Sequence, residues 1–170
     1  LHFTFADVGQ GEAVLITTPG GKGILVDGGP DPLDSVRLLG NRLSFWDRSV
    51  DLVVLTDTHS DHVTGLTEVL RRYDVRHILE REVQYDSPAH HAWRRAVEEE
   101  GAVVTQAREG PVVALGDGVF MQVISPQVRL LTGTASDVDN ASVVLRLVYV
   151  DVSFLLTGDM FGEAEVEFLA

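Results

Sequence analysis

The chain has 170 residues, of which 45% are hydrophobic, and a formal net charge of −13 at pH 7. This size and apolar content fit one domain with a sizeable core and exclude a disordered chain. The acidic balance argues against a simple basic DNA-binding surface, because phosphate contacts need lysine and arginine, and the lack of cysteine excludes disulfides and thiolate metal sites.

Short strands and a helix open the chain. Apolar runs predict strands over residues 3–6, 13–16 and 23–27. Gly9 and Gly11 predict a sharp turn between the first two strands. Asp31 is the expected N-cap of a helix that runs to about Leu43, with Pro32 at its first position.

The middle of the chain alternates strands and helices. A buried strand over residues 52–55 leads into a polar loop, after which a helix is predicted from about Gly65 to Arg72. A further helix begins at Ser87-Pro88 and ends at Gly101. The remaining predicted strands cover residues 77–79, 103–104, 112–115, 120–124, 142–150 and 152–157.

The end of the chain indicates a segment of a longer protein. Residues 128–139 are predicted to form a loop, and a last helix follows Gly162 and stops at Ala170. The chain also begins at Leu1 without an initiator Met, and no apolar run approaches the roughly 20 residues of a transmembrane helix. We expect one α/β domain with two sheets over residues 1–170, excised from a larger parent.

A dense cluster of chelating side chains follows the predicted strand over 52–55. Asp57, His59 and Asp61 can converge, because alternate residues of an extended loop face the same way. His62 would need a turn after Asp61 to reach a second, adjacent ion. An Asp after a strand is more often a cap or turn former, but two His and two Asp within six residues favour a metal site. The other candidates for this edge of the sheets are Asp27 and Asp159, which each follow an apolar strand.

Outside this cluster the candidate residues are weaker. His90 and His91 are assigned to a solvated helix face, and Trp46 and Trp93 to core or partly buried positions. The arginines at 71, 72, 76, 94 and 95 are too scattered in sequence to predict a path for DNA.

Four motifs occur in an order that resembles the metallo-β-lactamase-fold superfamily. They are Asp7-Val8-Gly9-Gln10-Gly11-Glu12, Leu25-Val26-Asp27-Gly28-Gly29, Thr56-Asp57-Thr58-His59-Ser60-Asp61-His62 and Leu156-Thr157-Gly158-Asp159. The first motif, together with Asn140-Ala141-Ser142-Val143-Val144, resembles the soluble C-terminal domain of ComEC-type DNA-internalisation competence proteins. The resemblance covers essentially the whole chain.

The resemblance implies a four-layer αββα sandwich of two mixed sheets, with one or two divalent ions at its edge. His59 would bind the first ion, and Asp61 and His62 the second. Asp159 would bridge both ions, and Asp61 would also lie close to the nucleophilic water. Asp27 would hold the loop from outside the metal shell.

Other positions follow from the resemblance less directly. Asn140 lies where other superfamily members place a further His, and is expected outside the metal shell. Ser142 is expected to contact substrate. Asp57 stands where the superfamily has His, and an oxygen donor there shifts preference from zinc towards manganese or magnesium.

The superfamily pattern also ends in a His beyond the bridging Asp, which this chain lacks. We expect that His downstream in the parent, so the C-terminal part of the fold would be truncated. The cofactor is then one or two divalent ions, Mn²⁺ or Zn²⁺, with weaker occupancy where the site is incomplete.

The function that the resemblance implies is metal-dependent cleavage of DNA phosphodiester bonds during natural transformation. Its partners would be DNA and the membrane channel of the same parent chain, with this domain on the extracytoplasmic side of the cell membrane and not itself inserted. Two alternatives stay open: a metallo-hydrolase of another substrate, such as a thioester or small phosphodiester, and a degenerate domain that only binds DNA or packs against the channel.

Overall fold

A computed structural model describes residues 1–43, 46–81, 83–110, 112–126 and 138–160, with the single positions 133, 162 and 166. Within these ranges the chain forms two β-sheets, three α-helices and a short 3₁₀ helix over Asp139–Ala141. The predicted order of strands and helices is confirmed over these ranges. The predicted last helix, and most of the predicted loop over 128–139, lie outside them.

The first sheet has six strands and is mixed. Its strands are β1 (His2–Phe5), β2 (Val14–Thr17), β3 (Gly23–Val26), β4 (Ser49–Leu55), β5 (Asp74–Glu80) and β6 (Val103–Gln106), in that spatial order. β1, β2 and β3 pair antiparallel, whereas β3 to β6 pair parallel. Val54 lies opposite Val26 on one side and Leu79 on the other, so β3, β4 and β5 end at the same edge.

The second sheet is antiparallel throughout, so only one of the two sheets is mixed. Its strands are β7 (Val113–Gly116), β8 (Val119–Ser125), β9 (Val144–Tyr149) and β10 (Val152–Leu156), in the spatial order β10-β9-β8-β7. Tyr149 pairs with Val152, which confirms the predicted turn between the last two strands. Val150 takes a left-handed φ of 54° in that turn, where no glycine is present.

The helices show where local sequence signals are sufficient and where they are not. α3 (Pro88–Glu100) has the predicted ends, because the Ser87 hydroxyl accepts the His90 N–H and Gly101 closes the helix with a φ of 71°. α1 (Asp34–Arg42) begins later than predicted, and its N-cap is Leu33. Asp31 is not the cap, because its carboxylate accepts the Leu33 N–H in a turn before the helix.

Two apolar clusters arrange these elements in layers. The first packs the helices on one face of the six-stranded sheet and includes Leu39, Leu66 and the fully buried Trp93. The second lies between the two sheets, with members such as Val54 and Leu145. Each fully buried side chain of this kind contributes about 1.5–3 kcal/mol. The described residues form a helix–sheet–sheet stack, and most of the chain after Met160 lies outside them.

The remaining helix, α2 (Ser60–Arg72), packs with α1 and α3 on the same face of the six-stranded sheet. None of the described helices is long and apolar enough to cross a membrane. The prediction for Trp46 is wrong, since 89% of that residue is exposed.

Candidate metal centre

The chelating cluster spans a strand end and the first turn of a helix. β4 ends at Leu55, and α2 begins at Ser60 with His59 as its N-cap. The predicted helix start at Gly65 is therefore five residues too late, and Asp61 and His62 belong to the first helical turn. That turn favours a carboxylate such as Asp61, because unpaired backbone N–H groups give it partial positive charge.

Close backbone contacts fix this helical turn against the end of β3. A Cβ atom at Gly65 would lie 1.9 Å from the Gly28 carbonyl oxygen, and one at Gly28 would lie 2.2 Å from the Leu66 nitrogen. The Gly28 N–H donates to the His62 carbonyl at 2.8 Å, and the Gly65 N–H to the Gly29 carbonyl at 3.1 Å. Only glycine allows such an approach, so these two residues set the position of His62.

His62 is fully buried between two carboxylates. Its Nδ1 lies 2.9 Å from Asp27 Oδ2, and its Nε2 lies 3.2 Å from Asp159 Oδ2. An ionised carboxylate only accepts, so the Asp27 contact assigns the ring proton to Nδ1. In the ion-free chain Nε2 lies close to Asp159 but makes no well-aligned hydrogen bond among the described residues, and the raised pKa of His62 favours a proton on it. A cation that displaces this proton would meet a buried nitrogen already directed at the cluster.

Asp27 is held by several contacts in addition to His62. It is fully buried, it has a left-handed φ of 55°, and its carboxylate accepts the Thr56 N–H at 2.8 Å and the Thr56 hydroxyl. Burial raises its pKa above the ordinary value, against the opposing effect of the His62 and Thr56 hydrogen bonds. This residue therefore lies where the sequence predicted, behind the metal ligands, and orients the His62 ring.

In the ion-free chain, negatively charged carboxylates surround His62 and shift the pKa values of the site. Burial by itself lowers the pKa of His62, but the hydrogen bond and charge of Asp27, with the charges of Asp159 and Asp57, raise it to about 10. Burial, followed by the charge of Asp27, raises the pKa of Glu12 to about 7. A divalent cation would compensate this concentration of carboxylates.

Three predicted ligands come together. One donor atom each of Asp61, His62 and Asp159 lies within 4.8 Å of the others. The Asp61 side chain is half-buried and that of Asp159 is 53% exposed, so the cluster opens to solvent on one side. Two carboxylates and an imidazole suit Zn²⁺ or Mn²⁺. The donor set and the buried Nε2 of His62 therefore fit the expected ion.

Asp57 and His59 contact each other and are not among the three residues of this cluster. The Asp57 carboxylate accepts the backbone N–H of His59 at 2.9 Å and lies 2.5 Å from its ring Nδ1. The buried Ser142 hydroxyl donates to the same carboxylate at 3.1 Å. Asn140 is buried in the neighbouring 3₁₀ helix. Ligation by Asp57 and His59, and substrate contact by Ser142, stay predictions.

Sequence reasoning assigned no role to three residues at this site. Glu12 belongs to a quoted motif, and its carbonyl accepts the Gly29 N–H at 2.9 Å beside the β3 end. Thr56 holds Asp27, as described above. Tyr85 approaches His59 with 4.9 Å between ring centroids. Glu12 and Thr56 both lie in quoted motifs, whereas Tyr85 had no local signal, because its contact with His59 joins residues 26 positions apart.

Comparison with known proteins is consistent with this geometry. The sequence profile of the metallo-beta-lactamase superfamily matches residues 6–170. ComE operon protein 3 of Bacillus subtilis (strain 168) is 24% identical over 177 residues, which cover 95% of this chain and 22% of that protein. The chain thus spans about a fifth of the length of this relative.

Solved structures show the same fold at low identity. The Cronobacter sakazakii metallo-beta-lactamase with a HARLDQ motif matches with a TM-score of 0.60 and 15% identity, over 94% of this chain and 60% of that chain. Zn²⁺-bound PqqB from Methylobacterium extorquens matches with a TM-score of 0.55 and 12% identity, over 85% of this chain and 47% of that chain.

Proposed function

Because the chain belongs to the metallo-beta-lactamase superfamily, we propose that it is a metal-dependent hydrolase that cleaves DNA phosphodiester bonds. Membership supplies the fold, whereas the reaction must be argued from the site. The observation that carries the proposal is the cluster of Asp61, His62 and Asp159, in which a buried imidazole nitrogen faces an open pair of carboxylates.

These three residues would hold the ion, with Asp57 and His59 as further predicted ligands. When bound, a divalent ion polarises a phosphoryl oxygen and lowers the pKa of a water. Asp27 keeps the His62 ring in one tautomer through Nδ1, so that Nε2 always faces the cluster. Asp61 is the half-buried carboxylate assigned to accept a proton from the attacking water. Water adds to phosphorus, the bond to one ester oxygen breaks, and that oxygen leaves as a hydroxyl after taking up a proton.

The DNA substrate rests on similarity rather than on the site. The relative from B. subtilis bears the name of a competence operon, and the motifs of this chain resemble the soluble domain of DNA-internalisation proteins. We extend the proposal accordingly to a membrane-anchored parent, with DNA and the channel of that parent as partners and this domain outside the cytoplasm. The match covers about a fifth of the relative's length, which supports the proposal that this chain is one part of a longer protein.

A second candidate is a non-catalytic domain that binds DNA or packs against the channel. One observation favours it: the Asp57 carboxylate, at a position where the superfamily has His, is directed to His59 and Ser142 and is outside the three-residue cluster. A site reduced in this way would bind an ion weakly and lose the reaction.

The decisive experiment compares ion binding and cleavage in matched carboxylate variants. Asp159→Asn and Asp61→Asn should weaken Mn²⁺ or Zn²⁺ binding by at least about tenfold and lower cleavage of a fluorescent oligonucleotide by about a hundredfold. Asp74→Asn, at an exposed position at the start of β5, should change neither. Calorimetric titration gives the ion affinity and stoichiometry independently of cleavage.

The outcomes separate the candidates. A wild-type chain that binds neither ion would refute the hydrolase and favour the non-catalytic domain. Ion binding with turnover of a thioester or a small phosphodiester, and none of DNA, would retain the metal centre and replace the substrate.

A further inference from the structure

The segment after β5 forms a wall beside the metal centre. β4 and β5 are parallel neighbours, so the residues that follow them meet at the same edge of the sheet. Tyr85 lies in this segment, and its ring meets that of His59 at a centroid distance of 4.9 Å and an angle of 72°. His59 is the N-cap of α2, two residues before Asp61. Tyr85 therefore contacts a predicted ligand that is two residues from Asp61 in the sequence.

A hydrogen bond from α3 holds the backbone of Tyr85 in this position. The His90 ring Nδ1 lies 2.8 Å from the Tyr85 carbonyl oxygen, to which it donates. His90 is buried, so its assignment to a solvated helix face is wrong. The His90 ring lies 6.4 Å from the Tyr85 ring at an angle of 60°. Neither histidine stacks parallel on the tyrosine, whose position is set before any ligand binds.

A concavity of about 530 Å³ is lined in part by Tyr85. It is lined by Val83, Gln84, Tyr85, His90, His91 and Arg94, together with Asp86. This volume is within the range of about 300–1,000 Å³ typical of small-ligand sites. It is large enough for one nucleotide, and it adjoins the metal centre through the Tyr85–His59 contact.

The lining has a different charge balance from the chain as a whole. Arg94 is 34% exposed and bonds the buried Glu80 through one guanidinium nitrogen at 2.5 Å, so part of its donor capacity faces outward. His91 is exposed, and its Nε2 lies 3.4 Å from the exposed Asp86. With the histidines counted as neutral, the charged lining residues are Arg94 and Asp86, so the lining is about neutral in a chain of net charge −13. The outward donors of Arg94 are therefore the groups that can hydrogen-bond a phosphate here.

We propose that this concavity binds the nucleotide next to the scissile bond of single-stranded DNA, with its base stacked on Tyr85 and its phosphate near His91 and Arg94. An aromatic ring beside basic groups is the combination that holds single strands without reading sequence. The inference rests on the proposed nuclease function and adds the substrate subsite. Of the arginines that are scattered in sequence, Arg94 would thereby contribute to a DNA path.

The test measures binding separately from cleavage. Fluorescence anisotropy of a 5′-labelled twelve-residue oligo-dT, in EDTA so that no cleavage occurs, gives the affinity of the 170-residue chain. Tyr85→Ala should weaken binding about tenfold or more, because the base loses its stacking partner. Tyr85→Phe keeps the ring and should bind as wild type does. Trp46→Ala removes an exposed aromatic residue that precedes β4, at the opposite end of that strand, and should have no effect.

A second pair of variants tests the phosphate contact. His91→Ala should weaken binding about threefold, because a hydrogen-bond donor beside the phosphate is lost. His77→Ala, at another exposed histidine that does not line the concavity, should not. In cleavage assays with metal, Tyr85→Ala should raise KM and leave kcat unchanged, as expected for a residue that binds the substrate outside the reacting atoms.

Several results would overturn the inference. One is that the wild type shows no measurable binding, and another is that Tyr85→Ala binds as tightly as the wild type. The others are that Tyr85→Phe loses as much affinity as Tyr85→Ala, or that a blunt-ended duplex binds as tightly as the single strand. Failure of the hydrolase proposal would give a different result. Oligonucleotide binding would still depend on Tyr85, but no DNA would be cleaved when metal is added.

Discussion

At the scale of single residues, Asp27 connects the fold to the chemistry of the site. Its carboxylate accepts from the Thr56 backbone and hydroxyl on one side and from the His62 ring on the other. A left-handed backbone at φ 55° is unusual for a residue other than glycine, and asparagine and aspartate tolerate it best. The same residue therefore ends β3 and fixes the ring that would bind the ion.

Glu12 gives a prediction on pH and stability. Its pKa in the folded chain is about 7, raised from 4.5, with burial as the main cause. The folded state thus favours the protonated form, so the contribution of Glu12 to stability is fully present below pH 4.5 and is lost as the pH rises through 7. At about 1.4 kcal/mol per pH unit, the loss by pH 8 is about 3 kcal/mol. Glu12→Gln cannot ionise, so it should raise the free energy of unfolding at pH 8 by this order.

The measurement is urea unfolding of the ion-free chain in EDTA at pH 5 and pH 8. The difference between Glu12→Gln and wild type should be small at pH 5 and appear at pH 8. An equal difference at both pH values would show that burial and the Asp27 charge do not act on this carboxyl.

At the scale of elements, the docking of α2 on the β3 turn is the feature that local rules miss. Gly65 lies inside the helix, where glycine normally destabilises by about 1 kcal/mol relative to alanine. Here it lets the Gly28 carbonyl approach within a distance that no side chain permits. Sequence patterns read Gly65 as a helix start because they contain no information about Gly28.

This contact predicts opposite effects of one substitution in two helices. Gly65→Ala should destabilise the chain by about 3 kcal/mol, because its Cβ would lie 1.9 Å from the Gly28 oxygen. Gly40→Ala in α1 should instead stabilise by about 0.5–1 kcal/mol, because its Cβ would meet only the Tyr73 hydroxyl at 4.0 Å. Chemical denaturation of both variants checks the pair. Stabilisation by Gly65→Ala would disprove the close approach.

β5 and α3 are also connected by side-chain contacts between residues that are far apart in the sequence. The buried Glu80 at the end of β5 accepts the Trp93 indole N–H at 2.7 Å and one Arg94 N–H at 2.5 Å. A buried carboxylate needs such partners, because an unpaired charge in the core is strongly destabilising. This pairing places Arg94 at the end of β5, where it lines the concavity beside Tyr85.

At the scale of the whole molecule, the site joins the two sheets. Asp61 and His62 belong to the helix that follows β4 of the first sheet, whereas Asp159 follows β10 of the second. The Val143 N–H also donates to the Thr56 carbonyl at 2.9 Å across the same junction. An ion held by all three side chains would therefore link both sheets.

Ion binding should consequently stabilise the whole fold. At a free Mn²⁺ or Zn²⁺ concentration of 100 times Kd, the free energy of unfolding should rise by about 2.7 kcal/mol, provided that the unfolded chain does not bind the ion. For a chain of this size, that corresponds to a rise in Tm of about 5–10 °C. At the same ion concentration Asp159→Asn should at least halve the rise, and Asp74→Asn should keep it. Thermal scans with and without the ion are sufficient, and an unchanged Tm in the wild type would contradict a folded-state ion site.

The sequence alone determined the features that depend on neighbours along the chain. The strands follow from apolar runs, and the ends of α3 follow from Ser87 and Gly101, because caps act within one helical turn. The motifs also named Asp61, His62 and Asp159 as ligands, and the structure brings them together.

Only the tertiary structure decided which way the remaining polar groups point. Asp57 and Ser142 are 85 positions apart and bond each other, and Tyr85 reaches His59 from the neighbouring strand. Such contacts depend on strand order and on the approach of Gly28 to Gly65, which no local signal encodes. For the same reason a cluster of chelating residues read from sequence separates into three that converge and two that contact each other.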